Sequence, residues 1–159
     1  MKTLIAYCSR HGSAEKIAHL LYLEIEHGPV RLLDLSHESF PENLQGYDQV
    51  IIGGSIHYGQ IQSSVKKFCN HFSPDLMNKR LGLFMCYMME DKAQEEFENA
   101  FPEDLRNHAD ALGYFGGELL IDKMNFLEKF IVKKLMQENE PIFNLDEVEV
   151  NSFINKMNH

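Results

Sequence analysis

Tryptophan is absent from this chain of 159 residues, and cysteine occurs only three times. Cys8, Cys69 and Cys86 form no CxxC pair and show no spacing typical of zinc ligands, so the sequence predicts neither a disulfide framework nor a structural zinc site. We therefore expect a reducing, cytoplasmic environment. Because tryptophan is missing, any aromatic stacking on a ligand must come from tyrosine or phenylalanine.

Positive charge and long apolar runs are also scarce. The 15 Lys and Arg are outnumbered by 24 Asp and Glu, which gives a formal net charge of −9. Since nucleic-acid binding depends on clustered cations, we expect no nucleic-acid partner. No apolar run approaches the roughly 18 residues of a membrane span, and the apolar start is too short for a signal peptide, so we expect membrane contact to be peripheral at most.

The apolar residues that are present alternate between strand-like and helix-like patterns, which predict five strands with helices between them. The predicted strands cover 2–8, 30–35, 48–54, 81–88 and 113–121. The predicted helices cover 13–27, 62–76 and a region over 97–112 that restarts at Pro102. A final helix is predicted to be capped by Asn144 together with Glu147. This order predicts one α/β domain over residues 1–159, a doubly wound parallel sheet in the order 2-1-3-4-5 within a three-layer sandwich.

In such a sheet, ligands bind beyond the carboxyl ends of the strands, next to the switch point between strands 1 and 3. The loop after strand 1 consists of Ser9, Arg10, His11, Gly12, Ser13 and Ala14. Hydroxyls, a cation and a glycine before a helix N-terminus predict a phosphate-binding turn. The alternative is a plain turn in which Ser13 caps its own helix. The loop matches neither GxGxxG nor GxxxxGK[ST], so it is neither a dinucleotide fingerprint nor a nucleoside-triphosphate loop.

The loops after strands 3 and 4 carry small, flat and apolar side chains. The second candidate loop comprises Ser55, Ile56, His57, Tyr58 and Gly59, and the third comprises Cys86, Tyr87, Met88 and Glu90. The rings of His57, Tyr58 and Tyr87 could stack on an aromatic ligand. The alternatives are a solvated His57 and sulfur side chains that fill the core or a pocket rim. Residues 123–137 predict either a lipid- or quinone-facing helix or a core helix with solvated lysines.

The first loop resembles that of the flavodoxin family. Tyr7, Ser9, Gly12 and Ala18 fit the signature of that family. Ala14 stands where the family has a threonine whose hydroxyl and amide contact the FMN phosphate. The amide of Ala14 can still donate a hydrogen bond, whereas the hydroxyl is absent unless another residue supplies it.

The second loop is similar to that of one flavodoxin subfamily, the menaquinone-dependent protoporphyrinogen IX oxidases. Residues 52–59 follow that subfamily's pattern Ile-Gly-Ala-Ser-Ile-Arg-Tyr-Gly, with Gly54 in place of alanine and His57 in place of arginine. The subfamily has a basic insert near strands 4 and 5, whereas residues 88–112 of this chain are strongly acidic.

The resemblance implies FMN as the cofactor, with the amides of residues 9–14 on the phosphate and the loops 55–59 and 86–91 on either side of the isoalloxazine ring. It also implies an oxidoreductase similar to the quinone-linked protoporphyrinogen oxidases of haem biosynthesis. Its partners would be a quinone or a redox-partner protein, with a porphyrinogen as candidate substrate. The runner-up is an electron carrier whose acidic surface docks on basic proteins. The third alternative is a flavin-free binding module that has kept the fold.

Overall fold

The computed structural model describes residues 1–10, 12–116 and 144–159. Its strands form one parallel sheet in the order β2-β1-β3-β4-β5, which confirms the predicted doubly wound α/β fold. The strands are β1 (Thr3–Tyr7), β2 (Val30–Asp34), β3 (Gln49–Ser55), β4 (Arg80–Tyr87) and β5 (Ala111–Gly116). The helices are α1 (Ser13–Glu24), α2 (Ser63–His71), α3 (Ser73–Leu76), α4 (Ala93–Ala100), α5 (Glu103–His108) and α6 (Asn144–Asn158), and a short 3-10 turn covers Glu90–Lys92.

Helices cover both faces of the sheet. On one face, α1 and α6 pack against the sheet through side chains such as Ile17 and Phe153, which are buried together with Phe84 of β4. On the other face, α2 and α4 contribute Phe68 and Phe97 to a second buried cluster. This arrangement is the expected three-layer sandwich. Because both faces are covered, a ligand reaches the sheet at the ends of its strands.

Two of the predicted helices are shortened or interrupted in the structure. α1 ends at Glu24, because Ile25 already has an extended backbone. The predicted helix over 62–76 is divided into α2 and α3, with the break at Phe72. The cause is Pro74, which has no N–H to donate to the carbonyl of Asn70 and whose ring would clash with that carbonyl.

The fifth strand begins earlier than predicted. It starts at Ala111. The residue before it, Asp110, already bonds to β4 through both its backbone and its side chain. The Asp110 N–H donates to the carbonyl of Leu81 at 2.8 Å, and the Asp110 carboxylate accepts the Leu81 N–H at 2.9 Å. Asp110 therefore adds two hydrogen bonds to the pairing between β4 and β5.

The remainder of the predicted fifth strand, residues 117–121, and the stretch 123–137 lie outside the described residues. α5 starts directly after Pro102, as the sequence predicts. α6 begins at Asn144, the residue predicted to cap it. None of the helices in the described ranges is long and apolar enough to cross a membrane. That residues 1–159 form a single domain stays a prediction.

Candidate functional site

The three candidate loops leave the sheet at the same edge. In the parallel register, Tyr7 lies beside Gly53, and Ser55 lies beside Cys86. Two backbone hydrogen bonds continue this pairing into the loops: Cys8 N–H to Gly53 O at 3.1 Å, and Ile56 N–H to Cys86 O at 2.8 Å. β1 is flanked by β2 and β3, so this edge is the predicted switch point.

Gly12 ends the first loop and forms the N-cap of α1. Its φ of 90° lies in the left-handed region, which favours glycine, and a Cβ added there would meet open space. The Gly12 N–H donates to Ser9 Oγ at 3.1 Å, and the Gly12 carbonyl accepts the Lys16 N–H at 2.9 Å. A hydroxyl that accepts one bond can still donate its own proton, so Ser9 remains able to bind an anion.

The start of α1 bears on both interpretations of this loop. Ser13 is the first residue of α1, and the N-cap is Gly12, which makes no side-chain cap hydrogen bond. The helix N-terminus therefore lacks a capping oxygen from its N-cap residue, which favours an anion there. Arg10 is exposed beside this turn, and His11 lies outside the described residues.

Ala14 is fully buried and belongs to the core rather than to the loop surface. Its methyl group packs in the same cluster as Tyr7, Ile17 and Ala18, on the α1 face of the sheet. A threonine at this position would add two heavy atoms to a packed interior. The alanine is therefore explained by packing, whatever its effect on a phosphate.

The second loop contains a tight two-residue turn that the sequence did not predict. His57 N–H donates to Gln60 O at 2.8 Å, and Gln60 N–H donates to His57 O at 3.0 Å. The residues between them, Tyr58 and Gly59, have φ angles of 50° and 75°. Positive φ at both central positions defines a type I′ turn. Asn-Gly is the usual signal for this turn and Tyr-Gly is not, so the turn could not be predicted from the sequence.

Tyr58 is presented to solvent at the tip of this turn. Its side chain is 97% exposed, and its ring lies 5.0 Å from the ring of His57 in an edge-to-face arrangement. A non-glycine residue in the left-handed region costs about 1–2 kcal/mol. The buried side chains of Ile56 and Ile61 flank the turn and anchor it to the molecule.

The third loop adds a further apolar surface at the same edge. Met88 and Met89 are about half exposed, whereas Cys86 is buried in the core cluster of the α1 face. Tyr87 is half-buried, and Glu90 is exposed at the start of the 3-10 turn. Of the predicted third-loop residues, Cys86 therefore lies in the core, whereas Tyr87 and Met88 reach the surface and stay predictions as ligand contacts. We call Tyr58, Met88 and Met89 the apolar rim.

Carboxylates lie close to the carboxyl end of β1, where the first loop begins. At the end of β2, burial raises the pKa of Asp34, but hydrogen bonds from the His37 ring and from Ser36 outweigh this effect and hold it below its ordinary value. Burial, and then the nearby Asp34 and Glu15 carboxylates, raise the pKa of Tyr7. Asp34 is therefore a persistent anion close to the carboxyl end of β1.

Gln62 is a site residue that the sequence interpretation missed. It precedes α2 as the N-cap, yet its side chain makes no cap hydrogen bond and turns back to the strand, where Gln62 Oε1 accepts the Ser55 N–H at 3.0 Å. Two further side-chain atoms of this pair, Ser55 Oγ and Gln62 Nε2, are buried and have no hydrogen-bond partner among the residues that the structure describes. Glutamine is not a preferred N-cap residue, and this was the available signal.

These residues fit a flavin mononucleotide in their chemistry. A glycine-capped helix N-terminus and the Ser9 hydroxyl suit a phosphate, and the apolar rim suits one face of a flat ring system. The unpartnered polar atoms of Ser55 and Gln62 at the end of β3 call for hydrogen bonds from a polar group. Site and fold together define a flavodoxin-like redox protein.

Comparison with known proteins supports the same class of protein. The family profile of the flavodoxin domain matches residues 4–143, and the chain belongs to that family. Among characterised proteins, it is similar to protoporphyrinogen IX dehydrogenase [quinone] of Escherichia coli strain K12, with 23% identity over 145 residues that cover 86% of this chain and 80% of the relative. In general terms, the chain is therefore a flavodoxin-type oxidoreductase or electron-transfer protein.

Solved structures share the fold. Rubredoxin oxygen:oxidoreductase from Desulfovibrio gigas superposes with a TM-score of 0.64 at 17% identity, covering 99% of this chain but only 35% of the other. A flavodoxin from Streptococcus pneumonia TIGR4 superposes with a TM-score of 0.58 at 13% identity, covering 99% of this chain and 97% of the other. At these identities the likeness shows the fold alone.

Proposed function

We propose that the chain binds FMN at the edge formed by β1, β3 and β4. The observation that carries the proposal is the N-terminus of α1, where Gly12 supplies no capping oxygen and Ser9 holds a hydroxyl beside the same turn. The phosphate would accept hydrogen bonds from the first amides of α1 and from Ser9 Oγ. Bound there, FMN supplies hydride or single-electron transfer.

The chain's own residues would orient the cofactor and exclude water from it. Gly12 sets the turn that directs the α1 amides, and the type I′ turn at Tyr58 and Gly59 presents an aromatic side chain from the neighbouring strand. Met88 and Met89 approach from β4. Thioether and aromatic side chains pack well on a flat ring, so the apolar rim would shield one part of the ring from solvent.

The first test of this proposal is binding. We expect the purified chain to retain FMN after desalting, with a flavin absorption band and quenched flavin fluorescence. Gly12→Ala tests the phosphate end, and Gly46→Ala is its matched control, because Gly46 has a similar φ of 84° and open space around it. Gly46 lies between β2 and β3, outside the candidate loops. Absence of a flavin band after desalting would refute FMN binding.

We further propose that the FMN-loaded protein is a quinone-linked oxidoreductase similar to the protoporphyrinogen dehydrogenases. The support is the match at 23% identity, the pattern over residues 52–59 and an apolar rim that suits a flat, uncharged acceptor. We expect the loaded protein to oxidise protoporphyrinogen with a quinone as acceptor faster than an equal concentration of free FMN. Equal rates would exclude this activity.

An electron carrier without a substrate of its own is the second candidate, and one observation favours it. An exposed acidic surface follows β4 and continues along α4 to the start of α5; it consists of Glu90, Asp91, Glu95, Glu98, Glu103 and Asp104. Such a surface attracts basic proteins and opposes an anionic substrate. The dependence of the rate on ionic strength distinguishes the two candidate functions. Electron transfer to a basic partner should slow as ionic strength rises, whereas oxidation by a neutral quinone should not.

A further inference from the structure

Two side chains at the end of β3 are joined by a hydrogen bond that determines how both are oriented. The Ser55 N–H donates to Gln62 Oε1 at 3.0 Å. A backbone N–H can only donate, so the oxygen of the Gln62 amide must face it. The amide nitrogen, Nε2, then points away from this bond and requires an acceptor elsewhere.

That requirement is not met within the described part of the chain. Ser55 Oγ and Gln62 Nε2 are both buried without a hydrogen-bond partner, and they are two of the four such side-chain atoms in residues 1–10, 12–116 and 144–159. The other two, Gln49 Oε1 and Glu96 Oε2, lie at the start of β3 and on α4. A buried polar group without a partner destabilises the protein, because it has lost its hydration without gaining a hydrogen bond. Two such atoms on hydrogen-bonded neighbours indicate a shared missing partner.

We propose that Ser55 Oγ and Gln62 Nε2 bind the polar edge of the isoalloxazine ring, with Nε2 donating to a ring carbonyl oxygen or ring nitrogen. The inference rests on the proposed FMN binding and assigns side chains to recognition of the ring. Both groups are uncharged, and Lys66, on α2, donates from its Nζ to Gln60 Oε1 at 2.8 Å. Neutral donors suit a neutral carbonyl group better than a phosphate.

Because the two polar atoms are buried, the side chains packed around them must shift for this contact to form. Gln62 and Ile61 both lie directly over Gly54. A Cβ on Gly54 would lie 2.6 Å from Gln62 Oε1 and 2.9 Å from Ile61 Cγ1, so only glycine allows both side chains to lie over the strand. Amide hydrogen exchange in the loop from Ile56 to Ile61 should therefore change when FMN binds.

The test uses Ser55→Ala, with Ser63→Ala as the matched control, since Ser63 is exposed at the first position of α2. Binding is measured by quenching of flavin fluorescence, and the stability of the flavin-free protein is measured by its melting temperature. We expect Ser55→Ala to weaken FMN binding by about threefold to tenfold, the equivalent of one neutral hydrogen bond. The melting temperature without FMN should stay the same or rise, because an unpartnered hydroxyl has been removed.

Gln62→Met provides the second arm. It keeps the side-chain length but removes both the acceptor and the donor, so we expect weaker FMN binding together with a lower melting temperature. Unchanged FMN affinity in Ser55→Ala would overturn the inference, and a lower melting temperature of the same variant would assign these atoms to a buried water. No FMN binding by the wild-type chain would instead overturn the proposed function, and the inference with it.

Discussion

Asn158, at the end of α6, holds the end of α1 although the two residues are far apart in the chain. Its Nδ2 donates to the Glu24 carbonyl at 3.0 Å, and its Oδ1 accepts the Glu26 N–H at 3.1 Å. The Asn158 side chain is buried. It therefore pairs two backbone groups that the end of α1 would leave exposed, and it joins the two helices of one layer.

We expect Asn158→Ala to destabilise the protein by about 1–3 kcal/mol, because two part-buried hydrogen bonds to the backbone are lost. Urea unfolding measures the change, and Asn155→Ala is the control, since Asn155 is exposed on the same helix. Equal stability of the two variants would show that water replaces the asparagine at no cost.

Gly12→Ala should lower the free energy of unfolding by about 1–2 kcal/mol, because alanine is strained at a φ of 90° although there is space for its Cβ. Gly46→Ala should cost a similar amount. FMN affinity separates the two variants: it should fall in Gly12→Ala and stay unchanged in Gly46→Ala. Equal affinities would place the phosphate elsewhere.

Ala14→Thr should have opposite effects on stability and on binding. The two added atoms enter a fully buried position, and such overpacking costs about 1–3 kcal/mol. If the hydroxyl reaches the phosphate, FMN should bind more tightly. Ala18→Thr, in the same cluster one turn further along α1, should reproduce only the loss of stability. Unchanged FMN affinity in Ala14→Thr would mean that another hydroxyl already serves the phosphate.

Tyr58→Asn should stabilise the protein by up to about 1 kcal/mol, because asparagine tolerates the left-handed backbone that this turn imposes. The same substitution removes the exposed ring, so FMN binding should weaken. Tyr58→Phe retains the ring and should leave both properties close to those of the wild type. Thermal melting and flavin titration provide the readouts. Loss of stability in Tyr58→Asn would show that the ring itself holds the turn.

Glu96 should make stability fall as the pH rises. Burial raises its pKa, the Lys92 charge lowers it, and the Asp91 and Glu95 carboxylates raise it further. A carboxyl group whose pKa is higher in the folded state binds its proton more tightly there, so stability is lost as the pH rises from the unfolded pKa through the folded one. Glu96→Gln should therefore be more stable than the wild type at pH 7, with the difference shrinking below about pH 4. The control is Glu95→Gln, at an exposed position, which should show no such difference in stability. A difference between Glu96→Gln and the wild type that is the same at every pH would contradict an origin in the titration of Glu96.

Much of the fold was accessible from local patterns. Apolar runs predicted each strand core, and Pro102 correctly marked the start of α5, because proline favours the boundary of a helix. Boundaries that depend on distant residues were missed. β5 starts early because Asp110 pairs with Leu81, a contact between different elements that no local pattern encodes.

The sequence by itself determined the chain's class. The alternation of strands and helices leads to a doubly wound sheet because parallel strands need crossovers, and that order places the first, second and third candidate loops at one edge. The residues of the first loop already indicated an anion at the start of α1, since the chemistry of a helix N-terminus is local.

Only the tertiary structure decided what individual side chains do at that edge. It buried Ala14 and Cys86 in the core, exposed Tyr58 at the tip of a type I′ turn, and turned Gln62 back onto Ser55. Whether a polar atom finds a partner depends on every element packed around it, so the sequence could not show that Ser55 Oγ and Gln62 Nε2 find none in the described part of the chain.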